Sequence, residues 1–560
     1  MNQPLVECVP NFSNGRDPEV IRTITTAIES VDGVVLLDVD PGASTNRTVV
    51  TFVGSPQAVV EGAVRAGVVA AEQIDMRLHS GEHPRFGAMD VCPFVPISGI
   101  TMDEVVELAR ETGKRLGEAG LTVYLYENAA SAPHRRNLAD VRAGEYEGLA
   151  DKVADEAWQP DFGPVEPNQH SGATAVGARS FLIAYNVNLN TTSTRRANAV
   201  AFDVRERGRV ERSGDPLTGE IVRDAAGEPI WKPGALEAVK AIGWYIDEYQ
   251  QAQVSMNLTD LSVTSLHAAF EAARKSATAR GMRVTGSEIV GMVPLQAMLD
   301  AGHHYLTLQQ RSHGIPDEEI VHIAATSMGL DDLTPFVPGD KIIEWRMAQV
   351  GGPLASLSVI DFTQETASES PAPGGGSVAA LAGALGAALG TMVANLSAHK
   401  RGWDDRWEEF SDWASRGKAL HSRLLALVDA DTEAFGVLME AYRMPSDTEE
   451  DAAARDSAVQ AATRGAIDVP IAVMEASVEA MDVVAAMAEQ GLESSVSDAG
   501  VGALMIRAAV RGAHLNVEIN AGGLTDESEQ AAYLDRAAGL DDAAAERENE
   551  ILAKVRLRIA

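Results

Sequence analysis

The feature that most constrains the fold is a change of sequence pattern near residue 354. Before this point, short β-branched runs alternate with segments of helical period, which is typical of mixed α/β domains. After it, alanine is abundant, strand-like runs are absent and nearly every segment follows the helical period. The pattern therefore predicts an α/β part built from two subdomains, a short linker and an all-helical domain.

Within the α/β part, the alternation predicts both hairpin and crossover connections. Strands are expected at residues 5–10, 34–39, 48–53, 91–97 and 122–127, with helices at 18–31, 59–74 and 102–116. Residues 129–177 are less regular and rich in proline and glycine. The second stretch predicts a helix over 235–249, a strand over 252–258 and a helix over 264–280.

Charge and cysteine content exclude several classes of protein. The 560 residues carry a formal net charge of −35, which argues against a general nucleic-acid binder because phosphate contacts need a basic face. Any anionic substrate must therefore meet a local basic pocket. Cys8 and Cys92 form no CxxC pair, so neither a disulfide framework nor a cysteine-rich zinc site is expected. Residues 1–10 lack a secretory signal pattern, and we expect a cytoplasmic protein.

Residues 378–396 form an uncharged stretch of membrane-spanning length. The stretch is mostly alanine and glycine, which transfer weakly into lipid, and the chain shows no other such stretch. We therefore predict a buried helix with close neighbours, and no membrane association.

A histidine at position 83 lies between two glycines, in the segment GEHPRFG at residues 81–87. Glycine and proline shape such a loop, and a strand-like run follows directly. A histidine there can exchange a proton near neutral pH, although it can equally pack or hydrogen-bond without chemistry. His79 and His83 are four residues apart, but Gly81 and Pro84 disfavour a helix that would make them a metal pair, so no metal site is predicted.

The first subdomain contains a second candidate segment, at the end of a predicted strand. Asp40 comes directly before Pro41-Gly42, and the polar residues 44–47 end in Arg47. Strand ends and loops commonly carry site residues, but a solvated turn with surface charges explains the same pattern.

In the helical part, Asp431 falls on an apolar stripe of the helix predicted over residues 418–442. It lies seven residues after Leu424 and four before Phe435, whereas Asp429 is turned away from the stripe. A carboxylate on an apolar face has a raised pKa unless it is paired, and such a group suits proton transfer at neutral pH. The alternative is a structural ion pair with a basic residue of another helix. Asn516 falls on a later helix and either reaches a ligand or lies on the helix surface.

A glycine-rich segment, Gly374, Gly375, Gly376 and Ser377, opens the uncharged helix. It lacks the preceding strand and the lysine of a nucleotide-binding P-loop. Exposed amides at a helix N-terminus can nevertheless hold a carboxylate or a phosphate.

Several of these segments resemble known enzyme families. Five of them resemble the formiminotransferase family: VECVPNFS at 6–13, LLDVD at 36–40, STNRT at 44–48, GEHPR at 81–85 and DVCPF at 90–94. PGGGSVAA at 373–380 and VDAD at 428–431 resemble formiminotetrahydrofolate cyclodeaminase. Their order is that of the bifunctional formiminotransferase-cyclodeaminase family, and the resemblance covers essentially the whole chain.

The resemblance implies two linked reactions of histidine degradation. The formimino group of N-formimino-L-glutamate passes to N5 of tetrahydrofolate, and the product then cyclises to 5,10-methenyltetrahydrofolate with loss of ammonia. His83 matches the family's base for transfer, and Asp431 matches its catalytic aspartate for cyclisation. Asp40, Arg47 and Arg85 lie in matching motifs, and an arginine there could hold a substrate carboxylate. The family's folate-binding loop matches Gly163, Pro164, Val165, Glu166, Pro167, Asn168, Gln169, His170, Ser171 and Gly172, although residues 165–170 depart from the familiar form.

The resemblance also implies domain boundaries and partners. It implies two ferredoxin-like transferase subdomains, 1–178 and 179–335, a linker at 336–353 and a helical-bundle cyclodeaminase domain at 354–560. The small-molecule substrates are formiminoglutamate and tetrahydrofolate, the latter in polyglutamated form, and the enzyme is expected to be a homo-oligomer. The alternative is a formimino- or formylglutamate transferase whose helical domain only holds folate and assembles subunits.

Overall fold

The computed structural model describes residues 4–42, 46–80, 85–166, 168–214, 219–247, 249–348 and 354–560. The chain packs into two compact units. The first comprises Met1–Ser265 and Ala272–Arg283, and the second comprises Leu266–Glu271 and Val284–Ala560. The predicted fold class is confirmed, because a mixed α/β region with sheets precedes a region that is almost entirely helical.

Thirteen strands are described, all before residue 291. They are β1 (Leu5–Cys8), β2 (Asn11–Phe12), β3 (Val34–Gly42), β4 (Arg47–Gly54), β5 (Met89–Ser98), β6 (Thr122–Glu127), β7 (Ala173–Ala178), β8 (Ile183–Leu189), β9 (Arg209–Val210), β10 (Trp231–Lys232), β11 (Val239–Ile246), β12 (Gln251–Leu258) and β13 (Val284–Val290).

Seventeen α-helices are described. They are α1 (Pro18–Glu29), α2 (Pro56–Gln73), α3 (Met102–Glu118), α4 (Leu138–Val141), α5 (Leu149–Ala154), α6 (Thr194–Val204), α7 (Leu266–Ala279), α8 (Leu295–Leu308), α9 (Asp317–Met328), α10 (Pro338–Lys341), α11 (Ile343–Ala348), α12 (Val359–Thr366), α13 (Gly375–Ala398), α14 (Trp407–Arg443), α15 (Glu449–Gln490), α16 (Val496–Ala521) and α17 (Glu527–Ile559).

The main sheet of the first unit combines antiparallel and parallel pairing. β1 and β2 both lie between β4 and β5, and β3 pairs with the other side of β4, all antiparallel. β7 pairs in parallel with β5 and with β6. Apolar side chains of the strands and of α1, α2 and α3 form one continuous core on a face of this sheet. Polar groups with a functional role are therefore expected in the loops at the strand ends.

The sheet that contains β8, β11 and β12 includes one wrongly predicted element. β12 pairs antiparallel with β8 and with β11. Residues 239–246, which the sequence pattern assigned to a helix, form β11. The buried side of β11 carries the small residues Val239, Ala241 and Gly243, whereas Ile242 and Trp244 are exposed. Because the large apolar residues face outward, hydrophobicity does not mark the inward side of the strand.

The core of the second unit is a helical assembly around α13. This helix packs against α14, α15 and α16, and α17 packs against α15 and α16. Close approach depends on small residues, since a Cβ at Gly386 would lie 2.7 Å from the Gly502 carbonyl oxygen of α16. Among the described residues, α13 is the one helix long and apolar enough to cross a membrane, and 61% of its most apolar window is buried inside the protein. This burial agrees with the predicted core helix.

Candidate functional sites

In the second compact unit, called the helical unit from here on, Asp431 of α14 faces the beginning of α13. Its Oδ2 atom accepts a hydrogen bond from the Ser377 hydroxyl at 3.0 Å, and the Ser377 backbone also donates to this carboxylate. The Thr432 hydroxyl lies 3.3 Å from the Ser377 hydroxyl. The predicted stripe therefore brings Asp431 to the glycine-rich segment rather than to a basic partner, and the positive end of the α13 dipole favours its charge.

The environment of Asp431 suits a proton-transfer group. Burial raises the pKa of this carboxyl above its usual value of 3.8, and the two hydrogen bonds from Ser377 oppose the increase. A carboxylate with a raised pKa is a stronger base than an ordinary surface aspartate and can also return the proton.

Gly376 keeps space in front of Asp431. A Cβ at Gly376 would lie 2.0 Å from Oδ1 of Asp431, so no other residue fits without moving the carboxylate. Gly374 is the N-cap of α13 and supplies no side-chain hydrogen bond. The predicted segment 374–377 therefore forms one wall of the site, with Ser377 as its polar contact to Asp431.

A pocket of about 230 Å³ opens between these groups. Its lining combines the glycine-rich segment with residues of α14, α15 and α16: Pro371, Ala372, Gly374, Gly375, Gly376, Asp431, Thr432, Phe435, Leu438, Ala466, Asn516 and Asn520. Asn516, left open by the sequence pattern, lies in the pocket, and Asn520 was missed. The spacing of four residues between the two asparagines was the signal that could have found them.

Asp429 has a different environment from Asp431, although only two residues separate them. Its carboxylate accepts hydrogen bonds from the Leu354 and Ala355 backbone amides at 2.8 and 3.3 Å. It therefore fixes the beginning of the helical segment and lies away from the pocket, as the stripe predicted.

In the first compact unit, called the α/β unit from here on, His83 lies outside the described residues, together with Gly81, Glu82 and Pro84. The residues on either side of this segment are held in place. The Ser80 carbonyl oxygen accepts a hydrogen bond from the Asn46 side chain at 2.9 Å, and the Asn46 carbonyl oxygen lies 2.9 Å from Nε2 of His79. Asn46 also accepts from the Gly15 amide at 3.0 Å. One asparagine thus joins three loops of the unit.

Arg85, on the other side of the segment, is engaged by several groups. It forms an ion pair with Glu147, donates to the Met76 carbonyl oxygen at 2.9 Å and stacks over the Tyr146 ring. The Tyr146 amide donates to the Arg85 carbonyl oxygen at 2.7 Å. These contacts hold the C-terminal end of the GEHPR segment at Arg85. A substrate-binding role for Arg85 stays a prediction.

Arg47 belongs to a largely buried cluster of charged groups. Its guanidinium lies 2.7 Å from Oδ2 of Asp90 and donates to Asn11 Oδ1 at 2.9 Å. Arg142 approaches the same Asp90 oxygen at 2.8 Å. Burial lowers the pKa of Arg47, while Asp90 opposes this shift. Asp90 and Arg142 were not singled out from the sequence, because 52 residues separate them and no local spacing connects them.

Asp40 lies near the end of β3 and is exposed. The strand continues through Pro41 to Gly42, so Asp40 is paired with Val49 in the sheet rather than placed at a strand tip. A proline is tolerated here because β3 is an edge strand. A substrate-binding role for Asp40 stays a prediction.

The predicted folate-binding loop closes on the strand that follows the GEHPR segment. Gly172 forms an antiparallel bridge with Gly87, and the Ser171 carbonyl oxygen accepts from the Ala88 amide at 2.8 Å. Gly163 has a φ of +86°, and a Cβ there would lie 1.9 Å from the Leu121 carbonyl oxygen. The two ends of the loop are therefore fixed by backbone contacts.

Inside the loop, Asn168 organises the turn. Its Oδ1 accepts hydrogen bonds from the His170 and Ser171 amides, each at 3.1 Å. The Gln169 carbonyl oxygen accepts from the Tyr146 hydroxyl at 2.6 Å, and the Pro164 carbonyl oxygen lies 3.4 Å from the Thr122 hydroxyl. Val165 and Glu166 are exposed, and Pro167 lies outside the described residues. Folate binding by this loop stays a prediction.

Within the described residues, no group of three or more His, Cys, Asp or Glu side chains is placed to hold a metal ion. Cys8 and Cys92 are free and buried, with their sulfur atoms 3.5 Å apart.

Three family models match the chain. The formiminotransferase domain, N-terminal subdomain, matches residues 5–179, the formiminotransferase domain matches 184–348, and a model described as formiminotransferase-cyclodeaminase matches 358–539. These matches follow the order in which the α/β and helical regions occur along the chain.

Curated relatives are similar over the whole chain or over part of it. The formimidoyltransferase-cyclodeaminase of Rattus norvegicus is 43% identical over 527 residues, which are 93% of each chain. The glutamate formimidoyltransferase of Thermoplasma acidophilum is 42% identical over 313 residues, 55% of this chain and 95% of that protein. The methenyltetrahydrofolate cyclohydrolase of Methylorubrum extorquens is 39% identical over 167 residues, 30% of this chain and 80% of that protein.

Proposed function

Because the chain belongs to the formiminotransferase-cyclodeaminase family, we propose that it catalyses two consecutive folate reactions of histidine degradation. The first transfers the formimino group from N-formimino-L-glutamate to N5 of tetrahydrofolate and releases glutamate. The second closes the ring between N5 and N10, giving 5,10-methenyltetrahydrofolate and ammonia. Tetrahydrofolate is a co-substrate in this scheme, and we expect its polyglutamated form to be used. A metal ion is not required by either step.

The observation that carries the proposal is the Asp431 site. Ring closure requires a group that removes the N10 proton and one that protonates the departing nitrogen. Asp431 has a raised pKa, lies in a pocket and is oriented by Ser377. A single carboxyl in this environment can take the first proton and return it to the second nitrogen.

For the transfer reaction, the proposal assigns the base to His83. The imidazole would remove the N5 proton as N5 attacks the formimino carbon and would return a proton to the departing glutamate nitrogen. Arg47 and Arg85 are candidates for holding the carboxylates of formiminoglutamate, and Asp40 is a further candidate contact. The bridge between Gly87 and Gly172 supports this proposal, because it joins the end of the predicted folate-binding loop to the chain two residues after Arg85.

The test supplies formiminoglutamate and tetrahydrofolate to the full-length protein. We expect glutamate, ammonia and the near-ultraviolet absorption band of the methenyl product. His83→Ala should abolish transfer and retain cyclisation of supplied 5-formiminotetrahydrofolate, whereas Asp431→Asn should do the reverse with a loss of about 100-fold or more. Wild-type transfer rates in His83→Ala would refute the assignment of the base.

The alternative is a transferase whose helical unit only holds folate and assembles subunits. It predicts glutamate release without ammonia and no effect of Asp431→Asn on any catalysed step. The raised pKa of Asp431 and its pocket favour a chemical role, because within the described residues this half-buried carboxylate has no basic partner that would make it a structural ion pair.

A second candidate activity is hydrolysis of the methenyl product, favoured by the similarity to the Methylorubrum extorquens cyclohydrolase. Water would then attack the carbon from which ammonia departs in the cyclisation. Supplying 5,10-methenyltetrahydrofolate alone and following the decay of its absorption band tests this activity. A decay no faster than in buffer would exclude it.

We also propose that the protein is a cytoplasmic homo-oligomer. Four apolar side chains of α13 are exposed at spacings of seven, seven and four residues: Val378, Leu385, Met392 and Leu396. A stripe of this kind on a core helix is suited to contact with a second copy of the chain. Light scattering should give a mass of at least twice 59.3 kDa, and a monomeric mass would refute the proposal.

A further inference from the structure

Two asparagines of α16 lie in the Asp431 pocket without a role in the scheme above. Asn516 and Asn520 are four residues apart, so both project from one face of the helix into the same pocket. The inference drawn from them deepens the proposed cyclisation and rests on it.

The hydrogen bonds of these asparagines fix which end of each amide is the NH₂ group and which is the oxygen. The Nδ2 atom of Asn516 donates to the Gly512 carbonyl oxygen at 2.8 Å, and Nδ2 of Asn520 donates to the Ala466 carbonyl oxygen at 2.8 Å. A carbonyl oxygen accepts only, so the NH₂ group and not the oxygen must face it. Within the described residues, no donor lies within hydrogen-bonding distance of either Oδ1 atom. Each asparagine therefore offers its oxygen as an acceptor.

Asn395, in the same unit, shows what a purely structural asparagine looks like. Its Nδ2 donates to the Gly314 carbonyl oxygen at 2.9 Å, and its Oδ1 accepts from the Ser312 hydroxyl at 2.7 Å. Both ends of the amide are satisfied by the protein. Asn516 and Asn520 differ because, within the described residues, only the donor end is used, which leaves each half-buried amide oxygen available to a ligand.

The two glycines that precede Ser377 leave Asn516 and Asp431 open to the same space. A Cβ at Gly376 would lie 2.0 Å from Asp431 Oδ1, and a Cβ at Gly375 would lie 3.7 Å from Asn516 Nδ2. Since these glycines are consecutive, the carboxylate and the amide flank one small region at the beginning of α13. A ligand atom in this region can contact both.

The chemistry of the pocket wall specifies the ligand atom. Two amide oxygens and a carboxylate accept hydrogen bonds, so the ligand groups that face them carry N–H or O–H bonds. The formimino nitrogen of 5-formiminotetrahydrofolate carries such bonds and gains positive charge as it departs. We propose that Asn516 Oδ1 holds the formimino nitrogen beside Asp431, and that Asn520 Oδ1 accepts from a second N–H group of the same substrate.

Each proton and electron pair of the cyclisation can be followed through the step. The formimino group reacts in its protonated form, N5–CH=NH₂⁺. N10 attacks the formimino carbon with its electron pair and forms the new C–N10 bond, the C=N electron pair moves to the formimino nitrogen, which becomes NH₂, and Asp431 removes the N10 proton. Asp431 then returns this proton to the formimino nitrogen. The bond between that nitrogen and the carbon breaks, its electron pair leaves with ammonia, and the N5 electron pair completes the methenyl cation. Asn516 contributes by orienting the nitrogen that receives the proton and by stabilising its N–H bonds.

The test compares Asn516→Leu with Asn395→Leu in the full-length protein, using supplied 5-formiminotetrahydrofolate. Losing a hydrogen bond to a group that becomes charged should lower kcat/KM for cyclisation by about 10- to 100-fold in Asn516→Leu. The nitrogen-15 isotope effect on the released ammonia should increase, because C–N cleavage becomes more rate-limiting. Asn395→Leu should lower the thermal midpoint without changing either quantity.

Wild-type cyclisation in Asn516→Leu, or a rate loss without an increased isotope effect, would overturn the inference. If Asn516→Leu does not fold, Asn516→Ser replaces it, because the serine hydroxyl can donate to the Gly512 carbonyl oxygen while its shorter side chain no longer reaches the substrate. The same two criteria then apply. A wild-type protein that releases no ammonia would refute the proposed function itself, which is a separate result.

Discussion

The two candidate sites are built in different ways. In the α/β unit, polar groups from several loops are held together by hydrogen bonds, with Asn46, Asp90 and Asn168 as the joining residues. In the helical unit, one carboxylate lies on a helix face and meets the beginning of another helix. The first arrangement depends on buried charge and the second on the absence of side chains at glycines. Each should therefore fail in its own way when it is disturbed.

The buried charge cluster of the α/β unit should show the largest effect. Asp90→Asn leaves the guanidiniums of Arg47 and Arg142 beside a neutral group. We expect a loss of about 3–5 kcal/mol in the free energy of unfolding and impaired transfer, since removing one partner of a buried ion pair is costly. Calorimetry of the full-length protein, with separate assays of transfer and cyclisation, measures both effects.

The control for Asp90 is Glu19→Gln, which removes an exposed ion pair with Arg22. Its effect on stability should stay within about 0.5 kcal/mol. Asp90→Asn with the same stability as the control would mean that the cluster does not organise this site.

A second property of the α/β unit is a buried acid in its main sheet. Burial raises the pKa of Glu7 to about 7, and Arg179 opposes the increase. The folded state then holds a proton that the unfolded state releases above about pH 4.5, so stability should fall as the pH rises from 4.5 to 7. Glu7→Gln should remove this fall, which corresponds to about 2.5 kcal/mol between pH 5 and pH 8. Thermal midpoints at both pH values measure it.

Glu61→Gln is the control, because the pKa of Glu61 is shifted in the opposite direction to that of Glu7. Hydrogen bonds from Arg115 lower the pKa of Glu61, so its stabilising contribution is complete above pH 4.5 and is lost only in acid. This variant should show no change of relative stability between pH 5 and pH 8. The same result for Glu7→Gln would show that Glu7 is not a buried neutral acid.

In the helical unit, the next effect tests the space in front of Asp431. Gly376→Ala would place a Cβ 2.0 Å from the Asp431 carboxylate and displace it. We expect cyclisation to fall about 100-fold with transfer retained, because a shift of about 1 Å in a reacting group costs this much. Gly436→Ala, on the same helix as Asp431 with open space around its Cβ position, should cyclise normally.

The helical site could be predicted further from the sequence than the α/β site. Asp431 belongs to an apolar stripe of one helix, so local spacing alone predicted the helix face on which it lies. The same spacing predicted that Asp429 lies on a different face. A helix face is a local property, which a sequence period records directly.

The α/β site depends on contacts between distant segments. Asp90 and Arg142 meet because β5 brings Asp90 next to the residue that follows α4, and no period in the sequence encodes that meeting. The same reason explains why β11 was predicted as a helix. Its large apolar residues Ile242 and Trp244 face outward, so the spacing of apolar residues does not reveal the strand. Sequence motifs identified the loops, but long-range packing decides which side chains meet.

The smallest expected effect concerns the tuning of Asp431 rather than its position. Ser377→Ala removes the hydroxyl hydrogen bond that lowers the pKa of this carboxyl and leaves burial, which raises it. The pKa should therefore rise further, and the acid limb of kcat/KM for cyclisation should move to higher pH, with activity at pH 8 changed by less than about tenfold. Among the described hydrogen bonds, the hydroxyl of Thr432 contacts the Ser377 hydroxyl and not the Asp431 carboxylate. Thr432→Val should therefore leave the pH of the acid limb unchanged. An acid limb that moves to lower pH in Ser377→Ala would contradict Asp431 as the base, because the removed hydrogen bond stabilises its charged form.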